Sequence, residues 1–273
     1  MNYRHAFHAG NHADVLKHAA LTFCVDALKR KPAPFAVLDT HAGPGLYDFD
    51  GEQAQRSPEW RDGIGRLWDW RDPPPALRPY LEAVRAVNAD GRLRFYPGSP
   101  AIVAARLRAE DRLAACELHP EDAAELRKRF ARAPNVQIHA RDGWEAMGAL
   151  LPFSERRGLV LIDPPYEQPG ELEHAAGAIG AALQRFGHGV YLWWRPLKSE
   201  SALARVDAEL AAQGARETLR ADLWIDTPTP SGKLVGSSLL LINPPFGLEA
   251  SLREALPLLA ARLALGAGGY RIA

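Results

Sequence analysis

Four short apolar runs, each closed by a polar side chain, constrain this chain more than any other feature. They cover residues 35–38, 113–116, 135–141 and 158–162, and they end in Asp39, Glu117, Asp142 and Asp163. Runs of this length, rich in aliphatic residues, read as buried parallel strands. Stretches long enough for helices separate them, and that alternation builds an open α/β sheet. The expected fold is therefore a doubly wound, Rossmann-like α/β sheet. In such sheets ligands bind at the carboxyl ends of the strands. Four acidic groups thus arrive, in chain order, at one edge.

Each exit has its own chemistry. After Asp39 comes Thr40-His41-Ala42-Gly43-Pro44-Gly45, a loop whose glycines let backbone approach a ligand closely. Glu117 ends its strand before a helix, where it is placed to take the two ribose hydroxyls of an adenosyl group. Asp142 suits an adenine amino group. The fourth run ends abruptly in Asp163-Pro164-Pro165-Tyr166. The prolines stop the strand, since neither can donate to a ladder. In this setting the string resembles the catalytic loop of methyltransferases that modify exocyclic amino groups, above all adenine N6. Such an amine is a poor nucleophile because its lone pair is delocalised into the ring. Asp163 accepting one N–H and a proline carbonyl, that of Pro164, accepting the other would draw the nitrogen toward tetrahedral geometry. Tyr166 would offer a face for the base to stack on. Asp163 would act as an ionised acceptor and, late in the reaction, as a proton acceptor.

The chain carries its own control. Asn243-Pro244-Pro245-Phe246 also follows an apolar run, 238–242. Order along the chain separates the two strings. Asp163 completes the four-strand pattern, whereas Asn243 follows it and is expected at the exit of a late strand, with a structural role. Further strands are expected at 189–194, 218–225 and 238–242. The last two are expected to form a hairpin-like antiparallel pair at the sheet edge, joined by 226–233.

Strand spacing reveals an insertion. In a simple dinucleotide-type unit the acidic residue falls about 20 positions after the glycine loop. Glu117 lies 78 positions after Asp39. The excess holds three tryptophans, Pro73-Pro74-Pro75, and a segment at 76–88 with Leu77, Tyr80, Leu81, Val84 and Val87 at helical spacing. A small helical subdomain is expected at 50–93 within a single domain of 1–273. Ser99 is expected to cap the helix that follows, with Pro100 in its first turn.

The amino terminus is crowded with polar and aromatic groups. Asn11 is expected to cap a helix over 13–30, which would direct Lys17 and His18 toward the cofactor. Tyr3 and Arg4 would then lie near the target base or its phosphates. His8 and His12 stand at i, i+4, but no Glu sits between them in the zincin arrangement and Gly10 weakens the helix they need. No metal is expected. Cys24 and Cys116 read as reduced core residues. No apolar run reaches the length of a membrane span, and the start does not read as a signal peptide. The formal net charge is zero, which does not favour nucleic acid. Residues 1–35 nonetheless carry five Lys/Arg against two Asp, with four histidines besides. Arg127, Lys128, Arg129 and Arg132 read as a solvated helix face.

The strings Tyr-Arg-His-Ala-Phe-His-Ala-Gly-Asn-His-Ala-Asp-Val-Leu-Lys-His, Leu-Asp-Thr-His-Ala-Gly, Tyr-Pro-Gly-Ser-Pro, Glu-Leu-His-Pro and Leu-Ile-Asp-Pro-Pro-Tyr-Glu appear in that order. Together they resemble the large-subunit ribosomal RNA adenine-N6 methyltransferase family, J type. The resemblance runs through nearly the whole chain and loosens beyond about residue 250. It implies a class I methyltransferase sheet, S-adenosylmethionine as donor and an adenine of 23S ribosomal RNA as acceptor. By position it puts cofactor contacts on His18, His41, Ser99, Glu117, Asp142, Gly143 and Asp163, the proton acceptor on Asp163 and a substrate-side tyrosine on Tyr3. A cytoplasmic, monomeric enzyme is the corresponding expectation. The alternatives are an adenine-N6 methyltransferase acting on DNA, which uses the same loop, and a catalytically idle RNA-binding protein of the same fold. Intact Asp163, Glu117 and Asp142 argue against idleness.

Overall fold

The computed structural model describes residues 4–229 and 232–273. The chain enters through a 3-10 turn, His5–Phe7, and then helix α1 (His12–Lys29). Asn11 caps α1, accepting from the N–H groups of Ala13 and Asp14, as its short polar side chain predicts. Strand β1 (Ala36–Asp39) follows. Next come β2 (Leu46–Asp48), helices α2 (Glu52–Arg56), α3 (Gly65–Trp68) and α4 (Arg78–Ala86), and β3 (Phe95–Pro97). Helix α5 (Ser99–Ala104) leads to β4 (Arg112–Cys116), α6 (Pro120–Phe130), β5 (Val136–His139), α7 (Gly143–Leu150) and β6 (Gly158–Ile162). The second half runs α8 (Glu171–Arg185), β7 (Val190–Pro196), α9 (Glu200–Ala212), β8 (Thr218–Trp224), β9 (Gly236–Ile242), α10 (Leu248–Leu263) and β10 (Gly269–Ile272).

Eight strands form one sheet in the order β10-β8-β9-β7-β6-β1-β4-β5. Strands β5, β4, β1, β6 and β7 are parallel, while β9 is antiparallel to both β7 and β8. Alternating side chains serve two layers. Val37, Leu159 and Leu161 join the core that holds α1 and α10. Leu38, Val160 and Ile162 join the core that holds α8 and α9. Burial on both faces explains why the central strands read as unbroken apolar runs. Strands β8 and β9 form the expected antiparallel pair, but not at the sheet edge. Strand β9 is interior, and β8 is covered by β10, a four-residue strand too short and polar to be read from the sequence.

The segment between β1 and β4 carries helices α2, α3 and α4 on a two-stranded antiparallel ribbon of β2 and β3. It docks on the amino-terminal segment through a close backbone approach. The N–H of Ile64 donates to Gly10 O at 2.8 Å, and a Cβ at Gly63 would lie 2.0 Å from that same oxygen. Ser99 does not cap α5. Gly98 occupies the cap, and Ser99 is the first helical residue. Among the described residues no helix is long and apolar enough to cross a membrane.

Candidate active site

The carboxyl ends of β1, β4, β5 and β6 open into a cavity of about 830 Å³. Its walls come from the strand exits, the amino-terminal segment with α1, Ser57, Pro58, Glu59 and Asp62 of the insertion, and a side formed by Trp194, Ile225, residues 233–235 and Leu265. Of the expected site residues, His18, His41, Ser99, Glu117, Asp142, Gly143, Asp163 and Pro164 all line it.

The exit of β4 delivers Glu117, which is buried. Its Oε2 accepts the Gly43 N–H at 2.8 Å and its Oε1 the His119 N–H at 2.7 Å. These bonds lock the carboxylate across the glycine loop, while burial raises its pKa above the ordinary glutamate value. Gly43 adopts φ +62°, and a Cβ there would fall 2.4 Å from the Tyr47 hydroxyl. Asp142 caps α7, with Oδ1 accepting from Trp144 and Glu145. Gly143 follows because a Cβ there would meet Thr40 O at 2.1 Å. His41 pairs with the Thr40 hydroxyl at 2.7 Å, and burial depresses its pKa to about 4. His18 pairs with the Tyr96 hydroxyl at 2.8 Å, and burial drops its pKa to about 3. Both imidazoles are therefore neutral polar groups at neutral pH.

Asp163 is not simply presented to the cavity. The ammonium of Lys17, almost fully buried, bridges it to Asp14. Lys17 Nζ lies 2.8 Å from Asp14 Oδ1 and hydrogen-bonds Asp163 Oδ2. Burial opposes the charge on Lys17, but the two carboxylates outweigh it and hold its pKa above the usual lysine range. Asp14 is fully buried; burial alone would raise its pKa, yet His5, Lys17 and His18 hold it well below the carboxylate range. It also accepts from the Gly10 N–H at 2.8 Å and pairs with His5 Nε2 at 3.0 Å. Close by, Asp39 is wholly buried, and burial followed by the like charge of Asp163 raises its pKa to about 7. The sequence placed Lys17 near the cofactor but missed its bond to Asp163. The structure supplies the reason: an 18-residue helix that buries polar His12, Asp14, Lys17, His18 and Thr22 needs partners inside. Glu59 of the insertion was also missed. It binds His8 Nδ1 and Asn11 Nδ2, each at 2.9 Å.

Two expectations are corrected. Tyr166 does not line the cavity. Its hydroxyl donates to Trp194 O at 2.9 Å and accepts from Trp193 Nε1 at 2.7 Å, which turns the ring into the protein. With φ +53° it closes the proline turn instead of offering a stacking face. Arg4 is not on the cavity wall either. Its guanidinium lies 2.6 Å from Glu121 and 3.2 Å from Asp122, in the acidic first turn of α6, so its charge is already paired. Tyr3 lies outside the described residues.

Comparison with known proteins gives the family. The family described as ribosomal RNA large subunit methyltransferase D, RlmJ, matches residues 32–273. The ribosomal RNA large subunit methyltransferase J of Escherichia coli K12 is 39% identical over 270 residues, 99% of this chain and 96% of that one. The chain belongs to this family of ribosomal RNA methyltransferases. Its counterpart from Haemophilus influenzae is 40% identical over 260 residues, covering 95% of this chain and 92% of that protein. A crystal structure of a Legionella pneumophila protein superposes with a TM-score of 0.90 at 32% identity, covering 97% of this chain and 98% of that one. The doubly wound class I methyltransferase sheet follows from family and topology together. The donor of such a family, S-adenosylmethionine, meets residues that fit it. Glu117 retains lone pairs for a ribose, and Gly43 and Gly143 let the strand exits pack closely against Tyr47 and Thr40 around the cavity.

Proposed function

We propose that this protein transfers a methyl group from S-adenosylmethionine to N6 of an adenine in 23S ribosomal RNA. The observation that carries the reading is the Asp163-Pro164-Pro165 turn at the end of β6, opening onto the same cavity as Glu117 and Asp142. When bound, S-adenosylmethionine supplies an electrophilic methyl on a positively charged sulfur. Glu117 would hold its ribose, and Asp142 and Gly143, at the start of α7, would take its base. Neutral His18 and His41 add polar contacts without placing a second positive charge beside the sulfonium.

On the acceptor side, Asp163 accepts one N6 hydrogen and the Pro164 carbonyl the other. The nitrogen lone pair is thereby turned out of the ring plane toward the methyl. Lys17 fixes the direction of the Asp163 carboxylate, anchored in turn by Asp14. Transfer would break the C–S bond as the C–N bond forms, with the electron pair leaving on the neutral thioether of S-adenosylhomocysteine, and Asp163 would accept the proton that the positively charged amine loses. Reaching this buried turn requires the adenine to leave its stack, which favours single-stranded or loosely paired RNA.

The test is to incubate the protein with labelled S-adenosylmethionine and, separately, unmodified 23S rRNA, 16S rRNA and duplex DNA, then digest and identify the labelled nucleoside. N6-methyladenosine from 23S rRNA is the expected product. Label confined to DNA, or carried by a cytosine, would overturn the reading.

A further inference from the structure

The cavity has two unlike walls. The donor side is polar, built around His18, Glu117 and Asp142. On the far side of the proline turn the wall is mostly apolar, with Trp194, Ile225, Leu234, Val235 and Leu265 beside the exposed Lys233. Within it one buried polar group has no partner. Trp194 is only 9% exposed, and its indole Nε1 is buried without a hydrogen-bond partner. The other polar groups of this stretch of β7 are paired. Trp194 O accepts from the Tyr166 hydroxyl, and that hydroxyl accepts from Trp193 Nε1. Buried donors are rarely left unpaired in folded proteins, and one that is unpaired beside a cavity calls for a function.

We infer that the Trp194 N–H reads the acceptor base, donating to a ring nitrogen of the adenine whose amino group Asp163 holds. This inference rests on the proposed function and goes further by naming a residue that discriminates the base. An indole is a donor only, so its partner must be an acceptor. The ring nitrogens of adenine are acceptors in the plane of the base, and its amino group is not. Position supports the pairing. Tyr166 ties the Asp163 turn to the end of β7, so Trp194 and Asp163 sit on one hydrogen-bonded unit. A purine seated against Pro165 and the apolar wall excludes water, and its ring nitrogen then needs a protein donor. Nε1 is shielded from solvent, so the base reaches it only once a neighbouring side chain moves aside.

The experiment combines a variant with altered substrates. A synthetic RNA spanning the modified adenine carries 1-deaza-, 3-deaza- or 7-deazaadenine at that position. Wild type and Trp194→Phe are assayed on each, and S-adenosylmethionine affinity is measured alongside by calorimetry. Trp194→Phe is expected to lower kcat/KM on adenine roughly three- to ten-fold, the scale of one neutral hydrogen bond. One deaza analogue is expected to slow wild type by the same factor, and the variant is expected not to distinguish that analogue from adenine. Donor affinity should not move. If wild type and variant treat adenine and all three analogues alike, or if the two losses multiply, Trp194 reads no ring nitrogen. A fall in donor affinity would place Trp194 on the other wall and overturn the inference. Robust N6 methylation by wild type in those outcomes leaves the proposed function standing, whereas no N6 product from wild type sinks both.

Discussion

Two loops of this protein look alike in sequence and do different work. Asp163-Pro164-Pro165-Tyr166 follows β6, and Asn243-Pro244-Pro245-Phe246 follows β9; both strands are buried along their full length. Each loop even contains a non-glycine residue at φ +53°, Tyr166 in the first and Asn243 in the second. Strand direction separates them. Because β6 is parallel to β1 and β9 is antiparallel to β7, the two strands end at opposite edges of the sheet. Asp163 meets the Lys17 ammonium and the cavity. Asn243 instead donates through Nδ2 to Gly187 O at 3.0 Å and Gly189 O at 2.7 Å, fastening the turn that enters β7. The aromatic residues are opposed as well: Tyr166 is folded inward, whereas Phe246 is 94% exposed. A four-residue string does not carry its role with it. The edge at which its strand ends supplies the role.

The largest effect should come from exchanging the two first residues for alanine. Asp163→Ala is expected to reduce methyl transfer by at least the roughly 10²–10⁴-fold typical of positioned acid–base groups. Asn243→Ala should leave turnover near wild type in a folded, donor-binding protein. The reverse pattern would mean that the wrong loop has been assigned the chemistry. Next in size is Lys17→Met. It strips the cation from between Asp14 and Asp163, and breaking a buried pair in this way costs about 3–5 kcal/mol. Chemical denaturation should show that loss, and turnover in the surviving folded fraction should fall. Among the described residues no buried ion pair stands behind Asn243, so an unchanged stability in Lys17→Met would erase one of the contrasts drawn between the loops.

How much of this was legible beforehand depends on the range of the interaction. The parallel strands, the Asn11 cap and the edge at which Asp39, Glu117, Asp142 and Asp163 arrive all follow from local patterning plus the handedness of α/β units. The antiparallel reversal of β9 was readable from its late place in the chain. What escaped were contacts set by packing. Tyr166 was assigned a stacking role from its residue type, but two backbone and side-chain partners on β7 decide where the ring goes. Arg4 looked free in the sequence because Glu121 and Asp122 are more than a hundred residues away. The Lys17–Asp163 bond spans 146 positions, and no spacing rule reaches that far.

The donor wall gives a smaller, cleaner effect. Glu117→Ala should weaken S-adenosylmethionine binding about ten-fold or more, since charge-assisted hydrogen bonds contribute roughly 1.5–3 kcal/mol. Calorimetry checks it, and Asn243→Ala in the same experiment should bind the donor as wild type does. Undiminished affinity in Glu117→Ala would move the ribose site away from β4.

The smallest effect concerns the loop without chemistry, and it separates two contributions at one position. Asn243 both adopts a left-handed conformation and donates two hydrogen bonds. Alanine loses the bonds and must still adopt φ +53°. Glycine loses the same bonds, but its missing Cβ makes that backbone region accessible at little steric cost. Asn243→Ala should therefore be less stable than Asn243→Gly by about 1 kcal/mol, the usual penalty for a non-glycine residue in this region. For a domain of this size that corresponds to a difference of roughly 2–4 °C in Tm. Both variants should fall below wild type, because the carbonyls of Gly187 and Gly189 lose their donor. If alanine proved as stable as glycine, the left-handed turn would relax on substitution and the hydrogen bonds alone would account for the residue. Turnover should match wild type in both. A loss of turnover that tracked the loss of stability would join the two loops energetically, against the separation that their opposite edges imply.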